Sequence, residues 1–251
     1  MPVPGQIPPQ IPPQQVPREL ALAASVPVRV SDADIDGLVL TLAAGSTVTG
    51  KLIVEGQPIS SIPNLSSLRL NLQMKLNGLG LPRASEIAAD GSFQISGLRD
   101  GEYRPAMNLN SPGIYIQSIK YDGKEIQGTT FQFISARPGT FEVVLKSSGP
   151  IVSGKVSDAQ AHPASGVAVA IVPADRERLD LYRRTDADQD GNFMFNINLP
   201  PGKYKVFSWE DVDSNAVRDA DFLKQYEQFG KEILAREGSN PSIDVIVIPA
   251  Q

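Results

Sequence analysis

Apolar residues recur at every second position through most of the chain, the period of a strand with one buried face. Leu68-Arg-Leu-Asn-Leu-Gln-Met74 alternates strictly, and Gly166-Val-Ala-Val-Ala-Ile-Val172 does so with small apolar residues between, which predicts burial on both faces. Ile114-Tyr-Ile-Gln-Ser-Ile-Lys120 runs into the turn Asp122-Gly123. The clearest stretch is Thr185 to Trp209. There Asp190-Gly191 supplies a tight turn, Phe193, Phe195, Ile197 and Leu199 alternate, Pro200-Pro201-Gly202 turns the chain, and Tyr204 and Val206 resume the alternation, so the stretch reads as a β-hairpin. One segment has helical spacing instead: Phe222, Tyr226 and Phe229 lie at i, i+4 and i+7, with Asp219 or Asp221 to cap the start and Gly230 to end it.

The patterns repeat about 100 residues apart. Asp90-Gly-Ser-Phe-Gln-Ile-Ser-Gly-Leu-Arg-Asp-Gly-Glu-Tyr103 echoes Asp190 to Tyr204 with one residue inserted, and Val48-Thr-Gly-Lys51 echoes Val152-Ser-Gly-Lys155. Paired apolar runs at 129–134 with 141–145 and at 232–236 with 243–248 each read as a closing hairpin. A third such pair, Val26 to Val30 with Gly37 to Leu42, has no body of its own. The expected organisation is a Pro/Gln-rich arm over 1–25, an extra β-hairpin over 26–45, one β-sandwich over 46–149 and another over 150–251. Seven prolines before residue 18 make the arm extended polyproline II, either a linker or an arm docked on a neighbouring subunit.

Composition narrows the function. A chain of 251 residues with 41% hydrophobic and 20% charged residues is that of a soluble globular protein. Its net charge of −5 is spread along the sequence, which gives no basic surface for nucleic acid. No apolar run is long enough for a membrane span, and the start lacks the features of a signal peptide. Cysteine is absent, so disulfides and thiolate chemistry are excluded.

Catalytic groups are few. His162, the single histidine, sits in a polar turn without a nucleophile elbow, and phosphate-binding glycine motifs are missing, so no enzyme is expected. Carboxylates are the remaining candidates. Asp186, Asp188 and Asp190 before Gly191 match the opening of a calcium loop but not its end, since Ile197 stands where a bidentate Glu belongs. Asp211, Asp213 and Asn215 form a second acidic group. Either could hold a structural calcium ion, and either serves equally as ordinary turn and capping chemistry. In the strand ending at Trp209, Phe207 and Trp209 point away from Tyr204 and Val206. Either the 219–229 helix covers that second aromatic face, or Phe207 and Trp209 with Phe222 and Tyr226 remain open as a platform for a sugar or a partner.

The motifs Val152-Ser-Gly-Lys155, Pro163-Ala-Ser-Gly-Val-Ala-Val169, Asp190-Gly-Asn-Phe193 and Leu199-Pro-Pro-Gly-Lys-Tyr204 resemble those of the carboxypeptidase regulatory-like domains, with fewer counterparts before residue 150. The resemblance implies two tandem Ig-like or transthyretin-like antiparallel β-sandwiches, all-β but for one short helix in the second. It also implies a non-catalytic structural or interaction module of a bacterial secreted or cell-surface protein. The expected partners are further copies or neighbouring surface domains, joined through the arm and spare hairpin. Carbohydrate bound around Trp209 is the alternative.

Overall fold

The computed structural model describes residues 28, 37–42, 44–75 and 82–250. The N-terminal half contains β1 (Ser46–Val54), β2 (Leu70–Met74), β3 (Arg83–Ala84), β4 (Glu86–Ile87), β5 (Ser92–Leu98), β6 (Gly101–Met107), β7 (Tyr115–Tyr121), β8 (Lys124–Glu125), β9 (Phe131–Phe133) and β10 (Thr140–Lys146). The C-terminal half contains β11 (Val152–Ser157), β12 (Ala168–Pro173), β13 (Arg183–Asp186), β14 (Asn192–Phe195), β15 (Gly202–Trp209), α1 (Ala220–Tyr226), β16 (Lys231–Ala235) and β17 (Val245–Ile246).

Each half is a β-sandwich. In the first, a sheet in the order β4-β5-β1-β10-β7-β8 faces β3-β2-β6-β9; in the second, β14-β11-β17 faces β13-β12-β15-β16. Pairing between strands is antiparallel except where the last strand of each half runs parallel to the first, β10 beside β1 and β17 beside β11; beyond β17, Ile248 makes a single parallel bridge to Trp209 of β15. Alternate residues of the facing strands meet between the sheets. Leu52, Ile95, Val143 and Phe133 belong to one core, and Val156, Phe193, Val206 and Val245 to the other. The small-residue strand β12 is buried at every position, as its composition predicts.

The expected hairpins are a different structure. Strand β14 pairs with β11 and β15 with β12, so the turn at Pro200-Pro201 carries the chain from one sheet to the sheet facing it. The same holds for β5 to β6, β9 to β10 and β16 to β17. Turn residues specify that the chain reverses, and alternation specifies which face is buried. Neither names the neighbour, and in a sandwich a reversed strand hides its apolar face as well by crossing the core as by pairing beside its predecessor. The recurrent Gly-x-Tyr braces both crossings: the Tyr204 hydroxyl donates to Pro200 O at 2.7 Å, while the Tyr103 hydroxyl accepts from Arg99 N at 3.1 Å.

The spare hairpin is a further correction. Residues 37–42 lie in no strand and have no hydrogen-bonded strand neighbour among the described residues, and alternation alone does not make a strand. Leu38, Val39, Leu40 and Leu42 are all exposed. The Pro-rich arm and the first strand of that hairpin, apart from Val28, lie outside the described residues.

Candidate functional site

The two acidic groups act on their own backbone. Asp188 Oδ1 accepts from Asp190 N at 2.9 Å and Asn192 N at 2.8 Å, and the Asn192 side-chain amide reaches both of its oxygens. That amide, followed by the Asn192 N–H, holds the Asp188 carboxyl below its ordinary range. Asp186 turns away to pair with Arg184 at 3.1 Å. Asp213 Oδ1 accepts from Asn215 N at 2.7 Å, and Asp219 caps α1 by accepting from Asp221 N and Phe222 N. Among the described residues, no three His, Asp or Glu side chains converge as a metal would require. His162 is exposed and sits 3.2 Å from Asp158 within a single turn.

The aromatic face is covered. Asp219 and the apolar spacing that follows start α1, and the helix lays Leu223 with Phe222 and Tyr226 over β12 and β15. Phe207 is 1% and Trp209 2% exposed. Their rings stack at 5.4 Å and 16°, with Tyr226 edge-on to the indole at 5.9 Å. Of the two alternatives for the face around Trp209, the covering helix is the one present, and the face is a second hydrophobic layer with no open stacking surface. Phe229, expected on the same helical face, lies beyond α1 in a 3-10 turn and is exposed.

What the chain builds with most care is the junction of its halves. Pro112 bridges Ile197 in antiparallel fashion, Gly113 N donates to Asn196 O at 2.8 Å, and Asn198 N donates to Ile114 O at 3.1 Å. Asn198 adopts a left-handed backbone, φ 46°, which Asn tolerates better than most residues. This turns its side chain so that Oδ1 accepts from Ile116 N at 3.0 Å, while its carbonyl accepts from Arg183 Nη2 at 2.7 Å. Burial pulls the Arg183 guanidinium below its usual value, and its Nη1 also donates to Asp180 O and Tyr182 O. Nearby, Gly128 has φ 75°, and a Cβ there would fall 2.6 Å from Arg178 Nε, inside the Arg178–Asp180 ion pair.

A second seam joins Lys146–Ser148 to Glu237–Gly238. Gly238 N donates to Ser148 O at 2.7 Å, and Lys146 lies between Glu55 and Glu237 at 3.3 and 3.6 Å. Beside the Asn198 junction lies a cleft of about 550 Å³ bordered by Arg104, Gln127, Asp180, Arg183 and Arg218. Sequence reasoning missed this site. The Asn-Ile-Asn run at 196–198 was legible only as the end of a strand.

In class the molecule is a tandem β-sandwich protein. No family model matches the chain, and no curated protein does, so the likeness to carboxypeptidase regulatory-like domains stays a resemblance of motifs. Solved structures that align with the chain include a streptococcal ancillary pilin, at 14% identity and TM-score 0.29 over 80% of this chain and 68% of that one. The minor pilin of Streptococcus agalactiae aligns at 10% and 0.34 over 81% and 98%. A Pseudomonas aeruginosa protein proposed to bind carbohydrate aligns at 14% and 0.28 over 39% of this chain and 88% of that one. At such scores they lend nothing to the function of this chain. Among the described residues, no helix is long and apolar enough to cross a membrane.

Proposed function

We propose that the chain is a non-catalytic structural module of a bacterial secreted or cell-surface protein, two sandwiches held as one body and joined to further copies through the segment before β1. The observation that carries the reading is the junction. Two backbone bonds between the halves meet within Pro112–Ile116 and Asn196–Asn198, locked by the Asn198 side chain and seconded by the Ser148–Gly238 seam. At about 0.5–1.5 kcal/mol each, such bonds are a modest contribution to stability, but their directions fix one orientation where a bare linker leaves many. The surface location rests on the motif resemblance and the absence of cysteine fits it.

Because the chain has no cysteine, it can be spin-labelled cleanly at Lys51→Cys and Lys155→Cys, both exposed. A single narrow interspin distance is expected for the parent, broadened by Asn198→Ala. A broad distribution in the parent would remove the rigid-module reading.

A further inference from the structure

The halves differ in one strand. Aligned on Gly101-Glu-Tyr103 and Gly202-Lys-Tyr204, the sheets β3-β2-β6-β9 and β13-β12-β15-β16 correspond strand for strand, and β5, β1 and β10 correspond to β14, β11 and β17. In the N-terminal half the closing strand β10 has β7 on its far side, antiparallel over Phe141–Lys146. In the C-terminal half the residues between β15 and β16 form α1 instead, and among the described residues β17 ends its sheet.

The edge left behind is equipped for pairing. Parallel contact with β11 extends from Ser242 to Val247, with Ile243 N donating to Ser153 O and Val247 N to Ser157 O. By strand alternation the N–H and C=O of Asp244 and Ile246 point the other way, and both residues are exposed, Ile246 by 55%; the free edge ends there, since Ile248 N on the same side donates to Ser208 O of β15 at 2.8 Å. Across the core, the counterpart of Phe131 is Ile233, from the pairings Tyr103↔Phe131 and Tyr204↔Ile233. Phe131 is covered by Tyr121 of β7 at 4.7 Å, whereas Ile233 has no such cover and is partly exposed.

Elsewhere the molecule carries a segment with the required character. Gly37-Leu-Val-Leu-Thr-Leu42 alternates, is rich in strand-forming residues and belongs to no strand, with Leu40 57% exposed. It cannot serve its own β17. The register Thr49↔Thr140 to Val54↔Leu145 puts the end of β1 beside the end of β10, where the C-terminal half begins, so Ser46 lies at the opposite pole. The nine residues of β1 put roughly 30 Å between these ends. The three residues between Leu42 and Ser46 reach about 14 Å at most.

We infer that residues 37–42 of one copy add as an antiparallel strand to the outer edge of β17 in a second copy, taking the place that β7 holds in the N-terminal half. Leu38, Leu40 and Leu42 then cover Ile233 and continue the row of Val245 and Val247, while Asp244 and Ile246 receive backbone partners. Donor and acceptor lie at opposite ends of the molecule, so the contact is heterologous and propagates head to tail as a linear assembly. This rests on the self-association in the reading above and adds its acceptor and polarity.

Light scattering of the 251-residue chain over a concentration series is expected to show species above 27.0 kDa that grow with concentration. Leu40→Asp removes the donor. Ile246→Pro removes the outward amide, a change an edge strand accepts when that N–H faces solvent. Each variant alone is expected to be a monomer with an unchanged circular dichroism spectrum, and an equimolar mixture to stop at dimers. A peptide of residues 36–44 should disperse parent assemblies and, should either variant fold poorly, decides the matter alone. A parent that stays monomeric overturns self-association altogether. A parent that assembles while Ile246→Pro also assembles, or that ignores the peptide, overturns the β17 edge and leaves self-association standing.

Discussion

The outer faces of the two halves differ, and the difference determines where one segment of each can go. In the N-terminal half, β2 turns Asn71 and Gln73 outward, and Ala106 of β6 and Asn108 just beyond its end face outward, both exposed. In the C-terminal half, the matching positions are Ala170 and Val172 on β12 and Phe207 and Trp209 on β15, all buried. A polar outer face needs nothing over it, so residues 115–125 are free to form β7 and β8 and widen the other sheet. An aromatic outer face would expose a large apolar area, and the equivalent segment folds as α1 to cover it. One half thereby protects its closing strand and leaves its outer face bare, while the other does the reverse.

The largest expected effect tests that exchange. Trp209→Ala removes the ring that Phe207, Phe222 and Tyr226 contact and should destabilise the C-terminal half by about 3–5 kcal/mol in urea unfolding. Asn108→Ala, at the matching exposed position, should change stability by no more than about 0.5 kcal/mol. Equal losses would mean that α1 contributes no second layer.

Next come the glycines of the first strands. A Cβ on Gly154 would lie 1.8 Å from the Ile243 carbonyl oxygen, whereas on Gly50 it would meet the tip of the Phe93 ring at 2.4 Å and, less closely, the Phe141 Cβ at 2.7 Å. A ring can swing aside and a paired backbone cannot. Gly154→Ala should therefore cost more than Gly50→Ala, with overpacking at Gly50 on the order of 1–3 kcal/mol. Reversal of that order would show that the parallel closing strand is more pliant in the C-terminal half. Smaller again is Asp219→Ala, which removes the cap of α1 and should lower stability by about 1 kcal/mol without altering the N-terminal half, as hydrogen exchange would report.

The smallest effect is one the halves share. Asp90 and Asp188 occupy equivalent turns, and each is held below the ordinary carboxylate range, Asp90 by the Ser92 hydroxyl and then the Ser92 N–H, Asp188 by the Asn192 amide. A depressed native pKa stabilises the fold above the unfolded value, near about pH 4, and that contribution is lost as pH falls through the native value. Thermal melts of Asp90→Asn and Asp188→Asn should both show a shallower decline in Tm below that point. A response in only one half would break the equivalence of the turns.

The chain's own order of residues determined a good deal. Alternation located nearly every long strand, the spacing of Phe222 and Tyr226 with Asp219 located α1, and the repeat of Gly-Lys, Asp-Gly and Gly-x-Tyr revealed two similar halves. These are local properties, carried by which face is apolar and which backbone angles a turn requires. The crossing from sheet to sheet at Pro200-Pro201, the parallel closure of β17 on β11, the burial of Trp209 and the lock at Asn198 were decided by the tertiary structure. Each depends on which of several equally apolar or equally hydrogen-bonding partners, tens of residues away, a strand or side chain finally meets. Periodicity along the chain carries no information about that choice.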